Sequence, residues 1–199
     1  MTDARTDQIA REAARLIEAG KARTVGEAIR LAADALRLKQ APMPGHGRVR
    51  KHAQGMAMQA MGERAYRQSI EHVLNVAEQL LTVLEQGEPE GPAVVVGRAA
   101  KGQIDAGVTL HLRVYTRRPI REIVEHLVAF GYEEPSFETA DTRFGRLDRV
   151  RFSEEGCEVA LTRCLPEMIA HKDFDLFTRR PIAVATAGEL RRRLADGGP

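Results

Sequence analysis

At 199 residues, 43% of them hydrophobic, the chain has room for one domain of ordinary size plus an accessory segment, with enough apolar material for a core. No apolar run approaches the roughly 20 residues of a membrane span. The charge-broken start MTDARTDQIAREAARL lacks the apolar core of a signal peptide, so a cytoplasmic protein with no membrane contact is expected. The net charge of +2 conceals a split: residues 1–67 carry 13 Lys/Arg against 7 Asp/Glu and the remainder 17 against 21, which makes the front end the part fit for acidic partners.

In chain order, Ile9, Ala13, Leu16 and Ile17 form an apolar stripe over residues 7–19, and Gly20 stops that helix. Thr24-Val25-Gly26-Glu27 has the spacing of a capping box and opens a second helix to about Leu38. Two short helices about a glycine turn admit a helix-turn-helix reading, and simple helix packing explains them equally. Residues 39–48, rich in Pro and Gly, are expected to be a linker. Arg48, Arg50 and Lys51 follow as the densest basic cluster, either a nucleic-acid contact or an exposed first turn of the next helix. Met56, Met58 and Met61 read as adaptable packing. A long helix is predicted over residues 63–86, ended by Gly and Pro at 87–92. The chain therefore divides into a basic helical segment, 1–62, and a second part, 63–199.

From Pro92 the pattern changes. Ala93–Val96 reads as a short buried strand, and 108–115 alternates, with Val108, Leu110, Leu112 and Val114 on one face and Thr109, His111 and Arg113 on the other. A helix over 119–130 follows Pro119, then strands near 134–141, 146–153 and 157–164. The Thr186-Ala187-Gly188-Glu189 box starts a last helix to about Ala195, and 165–185 has the composition of a loop. This order predicts an α+β fold with a mixed sheet flanked by helices. If the strands are neighbours, Glu158 and Thr162, with Arg149 and Arg151, share the polar face of Thr109, His111 and Arg113. Cys157 and Cys164, an odd seven positions apart, face opposite sides of a strand, so reduced thiols are expected. His46, His52, His72, His126 and His171 lack zinc-ligand spacing, and no Walker loop, dinucleotide fingerprint or nucleophile elbow occurs. Asp173 and Asp175 read as acidic loop residues beside Arg179 and Arg180.

The long helix, the strand at 93–96, the turn Gly97-Arg98-Ala99-Ala100-Lys101-Gly102 and the second strand together resemble the opening of the nucleotidyltransferase (polymerase-beta-like) superfamily, in the layout of small bacterial proteins with altered motifs. The resemblance implies a turn that grips a nucleotide triphosphate, here Gly97, Arg98, Lys101 and Gly102, and Thr109 and Arg113 on the polar strand face are further phosphate-binding candidates. It also implies an Asp-x-Asp pair and a third carboxylate that hold two divalent metals for phosphoryl transfer. This sequence departs from that pattern: Arg98 replaces the turn serine, and Gly107 and Thr109 stand where the two acids belong. Asp105 lies two positions early, and Glu158 alone fits the third acid. The expectation is a nucleotidyltransferase-like protein without its two-metal site, needing no metal or other cofactor, that binds a nucleotide, RNA or a protein partner. Two alternatives stay open. One is an active, magnesium-dependent transferase using Asp105 and Glu158, with His111 as a further catalytic candidate. The other is a nucleic-acid-binding or adaptor protein acting through the N-terminal helices.

Overall fold

A computed structural model describes residues 2–22, 24–87, 91–103, 109–133 and 135–196. They form two compact units, residues 1–66 and 67–199.

The first unit is helical: α1 (Thr2–Glu18), α2 (Val25–Ala35) and α3 (His46–Met61). Its core is the stripe read from sequence, Ile9, Ala13 and Leu16, closed by Ala28, Ile29 and Ala32 of α2 and by Val49 and Ala53 of α3. Thr24 caps α2 by accepting a hydrogen bond from the Glu27 amide at 3.1 Å. The helix α3 begins inside the stretch expected to be a linker. Two glycines, Gly47 and Gly55, weaken its propensity, and burial of Val49 and Ala53 in the helical core supplies what propensity does not. His52 Nε2 lies 2.8 Å from Asp7 Oδ1, which fixes α3 to α1.

The second unit contains most of α4 (Glu63–Gly87), followed by β1 (Ala93–Val96), β2 (Thr109–Tyr115), α5 (Ile120–Ala129), β3 (Ser136–Thr142), β4 (Gly145–Glu154), β5 (Cys157–Cys164), β6 (Val184–Ala185) and α6 (Ala187–Ala195). The strands make one mixed sheet in the order β3-β4-β5-β2-β1-β6, with β2 and β5 parallel and the other pairs antiparallel. The fold is thus α+β with a mixed sheet flanked by helices, as the element order implied. Glu155 and Gly156, both in the left-handed region at φ 46° and 78°, make the two-residue turn joining β4 to β5. Gly91 is obligatory, because a Cβ there would sit 1.5 Å from the carbonyl oxygen of Tyr115.

One face of the sheet carries Leu110, Leu112, Val114, Val150, Val159 and Leu161, all fully buried or nearly so. Val114 lies beside Leu84 of α4 and Ile123 of α5. His126 of α5 reaches the Val83 carbonyl of α4 at 2.9 Å, and Arg191 of α6 pairs with Glu78 of α4. The capping box at Thr186 forms in both directions. Cys157 and Cys164 are free thiols, both buried. No helix among the described residues is long and apolar enough to cross a membrane.

Candidate functional site

The site lies on the opposite face of the sheet, where the pairing arranges side chains in rows. In the first row Thr109 stands opposite Glu158, and Glu158 opposite Ser153. The second row runs Val96, His111, Ala160, Arg151, Ser136. The third runs Val94, Arg113, Thr162, Arg149, Glu138. The shared face expected of Thr109, His111, Arg113, Glu158 and Thr162 therefore exists, and Arg149 and Arg151 belong to it.

The glycine turn sits at the end of β1. Gly97 adopts φ +82°, a left-handed value that frees the chain to leave the strand, and a short 3-10 turn spans Ala99–Lys101 before Gly102 at φ +68°. Three of its amides are engaged within the fold. Gly97 N–H donates to the Ala183 carbonyl at 2.8 Å, Lys101 N–H to Arg98 at 2.9 Å, and Gly102 N–H to Ala99 at 2.9 Å. Gly97 and Gly102 thus serve the turn through their left-handed conformation. Lys101 is exposed and Arg98 half-buried. Asp105 and Gly107 lie outside the described residues. Arg48 and Lys51 are exposed and Arg50 half-buried on α3, in the first unit.

Much of this polar face is roofed. Residues 165–183, read as a loop, fold across it, with a 3-10 turn at Pro166–His171. Leu176 is buried with Val94, Val96, Tyr115, Leu147 and Cys164, and Met168, Ile182 and Val184 pack against that cluster. The roof is also pinned by Arg113, whose Nη1 donates to the Lys172 carbonyl at 3.1 Å and the Phe174 carbonyl at 2.9 Å. Only 3% of Arg113 is exposed, so its first task is to hold this segment. Asp175 organises the tip: its Oδ1 accepts from Phe177 N–H at 3.1 Å, Thr178 N–H at 2.7 Å and the Thr178 hydroxyl at 2.8 Å. Burial pushes the Asp175 pKa up, but these hydrogen bonds and the Arg113 charge outweigh it and leave the carboxyl below its ordinary value.

Between roof and sheet is a cavity of about 200 Å³, walled by Gly97, His111, Arg113, Arg149, Asp175 and Phe177 among others. Arg149 is 9% exposed; its Nε donates to the Thr162 hydroxyl at 3.0 Å, and its guanidinium carbon lies 5.4 Å from the centre of the Phe177 ring. Burial lowers the Arg149 pKa and Glu138 pushes it back up; an arginine so placed stays protonated at neutral pH. The His111 ring opens onto solvent, yet the protein around it desolvates it and lowers its pKa, and Arg149, Arg151, Arg113 and Arg98 push the same way. Both effects favour the neutral imidazole, which sits in a positive field. Nothing in the sequence singled out Phe177: an aromatic residue in an irregular segment has no periodicity to mark it.

Among the described residues, the donors on this face do not make the carboxylate cluster of a two-cation site. Such a pair needs clustered carboxylates. The first row offers Glu158 with two hydroxyls, Thr109 and Ser153, and the next row places His111 and Arg151 beside it. Among the described residues no three His, Cys, Asp or Glu side chains form a metal-sized group.

No protein-family profile matches the sequence, and no curated protein matches it. Solved structures do match in part. A cytoplasmic RNA terminal U-transferase aligns with 57% of this chain and 35% of its own, at 16% identity and a TM-score of 0.41. A chain of the GLD-2/RNP-8 complex aligns with 51% of this chain and 42% of its own, at 17% identity and a TM-score of 0.38. Cid1 in complex with its short product ApU aligns with 57% and 37%, at 15% identity and a TM-score of 0.39. The chain thus spans well under half the length of these structures, and the topology above stands on its own strand pairings.

Proposed function

We propose that residues 67–199 are a nucleotidyltransferase-like module that binds a phosphate-bearing ligand, a nucleotide or the backbone of RNA, on the cationic sheet face, and that two-metal transfer has been lost. The observation that carries this reading is the row structure of that face. Among the described residues the first row has one acid, Glu158 opposite Thr109, and in the rows beneath it His111, Arg113, Arg149 and Arg151 face one further acid, Glu138. Side chains of this kind hold phosphate by charge-assisted hydrogen bonds and need no metal. The order of long helix, β1, glycine turn and β2, with an acid at the start of the parallel strand β5, supports the fold assignment.

Calorimetric titration of ATP, GTP, CTP and UTP, each with and without magnesium, tests it. Binding that does not depend on magnesium is expected. No binding under any condition overturns the reading. Magnesium-dependent nucleotide transfer that disappears in both Asp105→Ala and Glu158→Gln overturns the claim of lost catalysis. A second reading rests on α3, where buried Val49 leaves Arg48 and Lys51 exposed. If these residues contact nucleic acid, affinity falls steeply with salt and Arg48→Ala weakens it.

A further inference from the structure

We propose that the cavity beneath the Gly97 turn holds the phosphate of a mononucleotide, with Arg149 and His111 as its ligands and the ring of Phe177 as the platform for its base. This rests on reading the face as a nucleotide-binding surface, and it names the ligand.

Charge is the first argument. Arg149 is nine-tenths buried, and its acidic neighbour is shared. Glu138 Oε1 lies 3.6 Å from Arg149 Nη1 and accepts a hydrogen bond from Arg151 Nε at 2.9 Å, so one carboxylate stands between two guanidinium groups. A net positive charge remains where water is scarce, and a buried charge calls for a partner. Asp175, on the cavity wall, has Oδ1 occupied by three hydrogen bonds and feels the charge of Arg113. Its negative charge is set against Arg113, which leaves Arg149 and Arg151 to share Glu138. The positive field at His111, to which four arginines contribute, is the same imbalance seen from another group.

Size is the second argument. About 200 Å³ is less than the roughly 300–1,000 Å³ of clefts that enclose drug-sized ligands. The cavity has room for one phosphate and part of a sugar, so the base must lie outside. At the mouth stands Phe177, 45% exposed, with the Arg149 guanidinium near its ring. Asp175 fixes the backbone of Phe177 and Thr178 and so acts as a positioning residue. A base stacked on Phe177 and a phosphate on Arg149 and His111 would belong to one molecule bridging mouth and interior. A triphosphate would have to crowd three charged groups into the space of one.

The test is calorimetry on the full chain in EDTA with AMP, ATP, adenosine, inorganic phosphate and a 5′-phosphorylated tetranucleotide as probes. AMP is expected to bind more tightly than any of the other four. Phe177→Leu should weaken AMP roughly 5- to 150-fold, the range expected for losing one stacked base, and leave inorganic phosphate unchanged. Phe177→Tyr should restore AMP binding. Arg149→Gln should weaken AMP and phosphate together, with thermal unfolding measured alongside to show that the variant is folded. If nucleotides bind but Phe177→Leu has no effect, or ATP equals AMP, this inference fails while the reading of the face stands. Tighter binding of the tetranucleotide overturns the free mononucleotide as ligand. If none of the probes binds, both fail.

Discussion

The two faces of the sheet in residues 67–199 are built from alternate residues of the same strands and are closed in different ways. Behind, Leu112, Leu161 and Val150 form a row of fully buried aliphatics on the face that helices cover. In front, Arg113, Thr162 and Arg149 form the neighbouring row, and an irregular segment covers them, held partly by hydrogen bonds to backbone carbonyls. Apolar burial is non-directional and fills space to crystal-like density. Directed hydrogen bonds fix a roof at chosen points and leave a cavity between them. One sheet thus has a back packed tightly by helices and a front that keeps a cavity.

The largest expected effect tests the back. Leu161→Ala removes a side chain with no exposure and should cost about 2–5 kcal/mol in denaturant unfolding. A cost below 1 kcal/mol would mean the back is not the stabilising face. Next, Arg113→Ala leaves the Lys172 and Phe174 carbonyls without their donor and should cost about 1–3 kcal/mol. Hydrogen exchange should then rise chiefly across residues 165–183. An increase spread evenly over the unit would break the distinction between roof and core.

A smaller effect concerns pH. The His111 pKa is lowered in the folded protein, so below its ordinary value of 6.5 the unfolded chain binds more protons and acid favours unfolding. The associated stability is complete above that value and is lost as pH falls through the lower, folded pKa. His111→Gln should therefore flatten the fall in melting temperature between pH 7 and pH 5, and an unchanged slope would show that the front face does not press on this ring. The smallest effect is chemical. Cys164 is fully buried and its pKa is pushed up to about 11, chiefly by burial. Its alkylation in native protein at pH 8 should be slow and should accelerate in Arg113→Ala, because the thiol lies under the same roof.

The sequence made much of this frame legible, and the reasons are physical. Thr186 and Glu189 announce a helix start because a capping box is local. Alternation along 109–115 separates Thr109, His111 and Arg113 from their apolar neighbours because a strand repeats every two residues. Placing those three beside Glu158 and Thr162 needed only the adjacency of two strands. The roof was another matter. Its hydrogen bonds run from Arg113 to carbonyls some sixty positions away, and a backbone carbonyl is the same at every residue. The start of α3 escaped for a related reason: Gly45 and Gly47, in the stretch read as a linker, advertise a loop, while Val49 and Ala53 find their partners only once the first unit has folded.

The parallel seam between β2 and β5 also governs the order in which the molecule can assemble. The strands β3, β4 and β5 follow one another through tight connections and can zip together locally. Thr109 and Glu158 are 49 positions apart, so joining β5 to β2 closes a long loop. Every row of the cationic face crosses that seam. The cavity therefore has no half-formed version: it comes into being only once that long loop has closed, and a chain stalled before that step has strands but no site.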